Sequence, residues 1–344
     1  SFYDEVDRAF RTVGCEALGS QDIFFRLSRM ATPTVEYSEI KRICADVDAP
    51  PQGPHGVSGL RRWPLAWGRA SQRYKEIAEQ AEPSGHSVSA GINFLRASLL
   101  AHSGQLLCRP AWPEKLELQK ERAASYRRAA PLIGTEEHRV PFGDHTLPAY
   151  LWIPKNIERP PVVIMAPGAN SVKEELHRWA GPLVERGLAT FRFDGPGQGE
   201  LTPLQEGGFP LRLETYHQVF SAVIDYLQEE VANRLDVGRI ALWGQATGGH
   251  LVTRAFEHEK RPIAAVNLAG QPTITNDQLF VLWGGHNDYF TGTTTDPAVV
   301  IANLSDHIQT LHAAGAETFL LPNLFGIGQG FGQSFNKLWD EAAD

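Results

Sequence analysis

Residues 239–256 read RIALWGQATGGHLVTRAF: an apolar, β-favouring run, a turn bracketed by glycines, then a helix-like pattern. Gly244, Gln245, Ala246, Thr247 and Gly248 fit the frame G-x-nucleophile-x-G, in which a strand turns sharply into a helix and displays the central side chain. Small residues are needed at both ends of that frame because the turn brings backbones close together. The tip here is Ala246, and a methyl group cannot attack a carbonyl. Thr247 lies one residue off the tip, so its hydroxyl points elsewhere, while its backbone N–H is a candidate donor. Taken alone, the frame also suits a glycine-rich β-α turn of any doubly wound protein.

Two upstream loops narrow the choice. VVIMAPGANSVKEE, residues 162–175, places Gly168 and Ala169 directly after an apolar strand, where the N–H groups of an oxyanion hole would sit. FRFDGPGQGE, residues 191–200, follows the next strand, and its Asp194 either orients that loop or faces a pocket as a substrate contact. Lys173 and Glu175 read first as loop-fixing charges. Downstream, LFVLWGGHNDYF, residues 279–290, ends a strand in a Gly-Gly turn and presents Asp288 where the acid of a Ser, Asp, His order is expected. His286, two residues earlier, is a candidate base. No histidine follows His312, and the segment after the last strand, LFGIGQGFGQSF at 324–335, offers glycine, phenylalanine and glutamine instead. Trp243, Trp283 and Tyr289 stand at the motif ends and suit an apolar ligand, with core packing as the competing role.

Strand-like runs at 138–142, 147–154, 160–168, 188–193, 239–243, 263–268, 278–283 and 318–322 alternate with helical patterns at 173–186, 213–231 and 297–314. That alternation predicts a doubly wound, mostly parallel sheet. Residues 1–135 lack it and carry helical spacing instead, such as Ile92, Leu95 and Leu99, interrupted by the proline- and glycine-rich loop DAPPQGPHGVSG at 48–59. The expected division is a helical N-terminal region acting as a cap, 1–135, and an α/β core, 136–344.

The chain has 344 residues, 42% of them hydrophobic, enough for one large core. Acidic residues exceed basic ones, 40 against 32, and no basic run is present, so nucleic acid is not an expected partner. Its longest apolar stretches fall far short of a bilayer span, which gives the expectation of a cytoplasmic protein with no membrane association. Cys15, Cys44 and Cys108 form no metal-ligand spacing, the histidines are scattered, and neither a phosphate-binding loop nor a full dinucleotide fingerprint is present. No metal and no cofactor are expected; the expected partner is a small-molecule substrate, with a homodimer left open.

The combination of APGANSVKEE, DGPGQGE and the turn at 244–248, preceded by Trp63-x-x-x-Trp67 and ERAASYRRAAPLI at 121–133, resembles the FrsA-like branch of the α/β-hydrolase fold. That branch holds 2,6-dihydroxypseudooxynicotine hydrolase and the fungal polyketide-shortening hydrolases. The resemblance spans roughly residues 60–256 and implies an α/β-hydrolase fold with a helical cap, and cleavage of carbon-carbon bonds beside ketones, or of esters, by a serine, an aspartate and a histidine. By position Ala246 replaces the serine, Asp288 is the acid, and the histidine has no counterpart. Three readings follow: an enzyme acting on a carbonyl-bearing, aromatic or polyketide-like molecule by serine-independent cyclisation, elimination, isomerisation or C–C cleavage; a C–C or ester hydrolase carrying a serine-to-alanine change at 246, with His286 or His250 as base; and a non-catalytic ligand-binding pseudo-hydrolase.

Overall fold

The computed structural model describes residues 35–48 and 61–268, the strands Leu279–Val281 and Thr318–Leu320, and positions 296–299, 301, 302, 305 and 309. Among the described residues four helices come first: α1 (Tyr37–Asp48), α2 (Arg62–Ala81), α3 (Ser87–Leu106) and α4 (Pro113–Leu132). Buried Trp63, Ala66, Trp67 and Ala70 form the inward stripe of α2 at helical spacing. α3 is buried almost all round because α2 and α4 both pack on it. Glycines permit that approach: a Cβ on Gly104 would stand 2.8 Å from the Cβ of Trp67, and one on Gly91 would stand 2.8 Å from the Cβ of Leu132.

β1 (Glu136–Phe142) and β2 (His145–Trp152) form a hairpin, and then β3 (Pro161–Ala166), α5 (His177–Glu185), β4 (Ala189–Phe193), α6 (His217–Glu230), β5 (Asp236–Gln245), α7 (Thr247–His258) and β6 (Ala264–Leu268) alternate. The sheet order is β1-β2-β4-β3-β5-β6; β1 and β2 are antiparallel to each other, β2 is antiparallel to β4, and the rest are parallel. This is the doubly wound α/β-hydrolase architecture expected from the sequence, with the helical region ahead of the core. β7 (Leu279–Val281) and β8 (Thr318–Leu320) pair in parallel as a second, two-stranded sheet. The residues described within 297–314 are helical at 297–299, 301, 302, 305 and 309, while the loop expected at 48–59 lies, beyond its first residue, outside the described residues.

The period of two along β3 sorts its side chains between the layers. Val162, Ile164 and Ala166 pack with Val219, Phe220 and Val223 of α6 and Leu251 and Val252 of α7. Val163 and Met165 pack on the other face with Leu176 and Ala180, where α5 covers the sheet. The chain leaves β3 for β4 on one side and then crosses to β5 on the other, so the strand order reverses at β3. Ligands of open α/β sheets bind beyond the carboxyl ends of the strands at such a reversal. The register pairs Ala166 with Gly244, which sets the loop after β3 beside the turn after β5.

The contact between strand and helix at that turn is close. A Cβ on Gly248 would lie 2.6 Å from the carbonyl oxygen of Pro167 and closer still to that of Ala166, while one on Gly244 would strike the Gly248 carbonyl. We expect Gly248→Ala to lower the unfolding free energy by about 2 kcal/mol or more in urea titrations. An unchanged midpoint would mean that α7 does not sit this close to β3.

Candidate active site

The turn after β5 holds Ala246 at φ 51°, ψ −119°, a left-handed conformation that side chains other than glycine rarely adopt. Such backbone strain costs on the order of 1–3 kcal/mol and persists only where the surroundings enforce it. Here the Ala246 N–H donates to the Leu268 carbonyl at 2.7 Å, and the Ala246 carbonyl accepts from Gly249 and His250 as α7 begins. Asn267 on β6 donates to Thr253 Oγ1, and Thr253 in turn donates to the Gly249 carbonyl, which fixes the first turn of α7 against the sheet. Ala246 and Thr247 remain half-buried. Thr247 opens α7, so its N–H precedes the helical hydrogen-bond ladder.

Gly168 lies alongside. A Cβ there would be 3.4 Å from the Ala246 methyl, 3.1 Å from the Gln245 carbonyl oxygen and 3.8 Å from the Ser171 Cβ. Ala169, the next residue, is exposed. Gly168 and Ala246 are therefore side by side, with Ala169 and Thr247 adjacent to them in the chain.

What holds this loop is an ion network that the two motifs build together. The Lys173 ammonium donates to Asp194 Oδ2 at 2.9 Å, Glu174 Oε1 at 2.8 Å and Glu200 Oε1 at 2.6 Å. The Lys173 backbone N–H donates to Asp194 Oδ1 at 2.8 Å, and the Glu200 N–H donates to Asp194 Oδ2 at 3.2 Å. Arg122 of α4 meets Glu174 at 3.3 Å with both side chains fully buried, and Arg127 pairs with Glu200 at the rim. Burial on its own would pull the Lys173 ammonium down, but Asp194, Glu174 and Glu200 together outweigh it and hold it charged, well above its ordinary value. Burial likewise works against the Glu200 carboxylate, and Lys173 overcomes it and brings the group to about 2. The carboxylate oxygens of Glu174, Asp194 and Glu200 lie within 4.8 Å of one another, a spacing a cation would accept, but Lys173 already contacts all three.

Two expected substrate contacts are therefore placed elsewhere. Asp194 is fully buried with both carboxylate oxygens committed to loop atoms, so it orients the loop and does not face a pocket. Trp243 is buried in the α5-side cluster, its ring 5.6 Å from that of Trp179. Asp288, His286, Trp283 and Tyr289 lie outside the described residues. Residues that the sequence reading did not single out complete the surroundings. Gln198 and Tyr216 bond to the loop after β3 or to each other. Arg192 of β4 donates to the Tyr126 hydroxyl at 2.9 Å, and that hydroxyl shares a hydrogen bond of 2.9 Å with His177 Nδ1. His177 is kept neutral by burial and by the Arg192 charge, both of which push it well below the usual histidine range. Its ring stacks on Trp152 with centroids 4.6 Å apart. The readable signal was an arginine inside the apolar strand Ala189–Phe193, which needs buried partners.

Removing Lys173 leaves two buried carboxylates and the half-buried Glu200 facing one another. We expect Lys173→Met to cost about 3–5 kcal/mol, measured by denaturant unfolding. Because Glu200 binds its proton far more readily in the unfolded chain, at the ordinary 4.5, than in the folded one, at about 2, its stabilisation is complete above 4.5 and is lost as pH falls through that window. Unfolding free energies taken from pH 6 to pH 2 should show this loss, and Glu200→Gln should flatten it; an identical slope in the variant would exclude Glu200 as a contributor.

No family model matches the chain. It is 34% identical over 233 residues to the alpha/beta hydrolase xenA of Xenoacremonium sinensis, covering 64% of this chain and 52% of that protein. It is 31% identical over 210 residues to 2,6-dihydropseudooxynicotine hydrolase of Paenarthrobacter nicotinovorans, covering 60% and 55% respectively. The chain thus spans about half the length of the curated relatives it matches. The crystal structure of 2,6-dihydroxy-pseudo-oxynicotine hydrolase superposes with a TM-score of 0.59 at 25% identity over 84% of this chain and 74% of that one. Among the described residues no helix is long and apolar enough to cross a membrane. The chain thus has the α/β-hydrolase fold and is similar in sequence to hydrolases of the kind its motifs resemble.

Proposed function

We propose that this chain is an enzyme acting on a carbonyl-bearing, aromatic or polyketide-like small molecule, and that it does so without a serine nucleophile. The carbonyl oxygen sits between the N–H groups of Ala169 and Thr247, over the Ala246 methyl, with α1–α4 serving as the cap. The observation that supports this reading is the juxtaposition of Gly168 with a strained Ala246, a turn suited to displaying a nucleophile that carries only a methyl group. Preorganised donors of this kind act on any reaction that builds negative charge on the carbonyl oxygen, including enolisation, elimination, intramolecular cyclisation and retro-aldol cleavage. Relatives of the chain include a 20-hydroxy-prefusarin hydrolase of Gibberella moniliformis, 31% identical over 205 residues, which supports the substrate class.

A second reading is favoured by the strain itself. A left-handed φ at position 246 is useful for displaying a nucleophile and gives an alanine nothing, so the chain is alternatively a C–C or ester hydrolase in which alanine stands at the serine position.

The two readings separate in one experiment. The protein as given and its Ala246→Ser variant are incubated with aryl β-diketones and activated aryl esters, and both protein and small-molecule masses are followed. Serine-independent chemistry predicts turnover by the alanine form at a rate unchanged within a few fold by serine. An acyl adduct and water-adding turnover confined to the serine form would establish the hydrolase reading instead. A ligand that raises the melting temperature of both forms and is recovered intact would sink both and leave a binding protein.

A further inference from the structure

The loop after β3 is useful as an oxyanion site only if its peptide planes are turned the right way, and one buried side chain sets them. Gln198 precedes the short 3-10 turn at Gly199–Leu201 and is almost wholly inaccessible. Its amide nitrogen donates to the Pro167 carbonyl at 2.7 Å and to the Gly168 carbonyl at 3.3 Å. Its Oε1 accepts from the Gly195 N–H at 3.2 Å and from the Tyr216 hydroxyl at 3.0 Å. Two carbonyls on one side and two donors on the other leave no freedom to flip the amide, and every one of its hydrogen-bonding positions is used. Tyr216 is itself buried, and burial, with Asp194 adding to it, raises its phenol so that it remains a donor. Gly195 is needed for this contact, since a Cβ there would overlap the Tyr216 hydroxyl.

In a trans peptide the C=O and N–H point in opposite directions. Drawing the carbonyls of Pro167 and Gly168 towards Gln198 therefore turns the N–H groups of Gly168 and Ala169 away from it. We propose that Gln198, braced by Tyr216, is the positioning residue that aims the Ala169 N–H at the carbonyl-binding position beside Ala246. This rests on the carbonyl-seating reading above and assigns a task to the glutamine of D-G-P-G-Q-G-E that is separate from the ion network: Asp194 and Lys173 tie down the far end of the loop, and Gln198 sets the orientation of its near end.

The test uses the full chain labelled with 15N-alanine, so that the amides of Ala169 and Ala246 are both observed. Gln198→Met keeps the side-chain length and removes all four hydrogen bonds; Tyr216→Phe removes one and guards against a Gln198 variant that fails to fold. Each change is expected to move the Ala169 amide resonance while leaving that of Ala246, held by the Leu268 carbonyl, in place. A merely structural loss would move both. The same variants are then combined with Ala246→Ser and titrated with phenyl trifluoromethyl ketone. The serine oxygen bonds to the carbonyl carbon, the carbonyl π pair moves to oxygen, and the hydroxyl proton passes to solvent. The adduct is read by 19F resonance, and its affinity should fall about tenfold in Gln198→Met. An Ala169 resonance unmoved in both variants overturns the assignment of Gln198. A moved Ala169 resonance upholds its hold on the loop; if no adduct then forms even with Gln198 intact, it is the carbonyl-seating reading that fails.

Discussion

The Lys173 ammonium is the constraint on which the other parts of this molecule depend. It contacts three carboxylates, contributed by its own loop and by the loop after β4, two of them wholly removed from water. A buried charge of this kind is tolerated only with near-complete pairing, and the pairing draws in Arg122 from α4. The helical region is thereby bound to the sheet by charge as well as by the packing of Tyr126 on Tyr150, whose rings lie 4.5 Å apart. Helices and core are mutually necessary in this arrangement: without α4, Glu174 would lose Arg122, and Arg192 would lose the tyrosine hydroxyl it donates to. The cap is thus anchored directly behind the loop that it would cover.

This explains why the two motifs occur together. APGANSVKEE and DGPGQGE are two halves of one structure, joined by Asp194 to Lys173 at one end and by Gln198 to Pro167 and Gly168 at the other. Small residues recur in them because backbone atoms carry the contacts. Gly199, for instance, has a positive φ and lies so close to Asp194 that a Cβ would displace the carboxylate.

Much of this was legible in the sequence, and the remainder failed for identifiable reasons. Alternation of strand and helix, and the glycine frame at 244–248, are local signals, and the structure places them where the sequence implied. The Asp194 side chain was ambiguous because an aspartate beside two glycines satisfies either a loop or a ligand, and only the three-dimensional partner, Lys173 from another loop, decides between them. Arg122 sits among charges in ERAASYRR, and its burial follows from its partner Glu174 on another segment, which periodicity does not encode. Gln198 was visible as a letter in a glycine-rich run, but its role depends on which carbonyls face it.

A carbonyl-seating loop beside a turn that lacks a nucleophile, as proposed above, is chemically less paradoxical than it looks. In serine hydrolases the triad acts as a unit, and removing it still leaves roughly 10³–10⁴-fold catalysis from oxyanion donors and binding. A site reduced to those components is a weak hydrolase, since water is a poor nucleophile without a base. It is not a weak catalyst for a substrate that carries its own nucleophile or its own leaving group, because the only barrier left is the charge that develops on the carbonyl oxygen. Polyketide-like molecules, with ketones spaced along one chain, are of that type: an enol carbon or hydroxyl of the same molecule can attack, and no covalent enzyme intermediate is needed. In such a reaction a serine at the tip would have no step to perform, and an alanine, which keeps the turn, would serve as well.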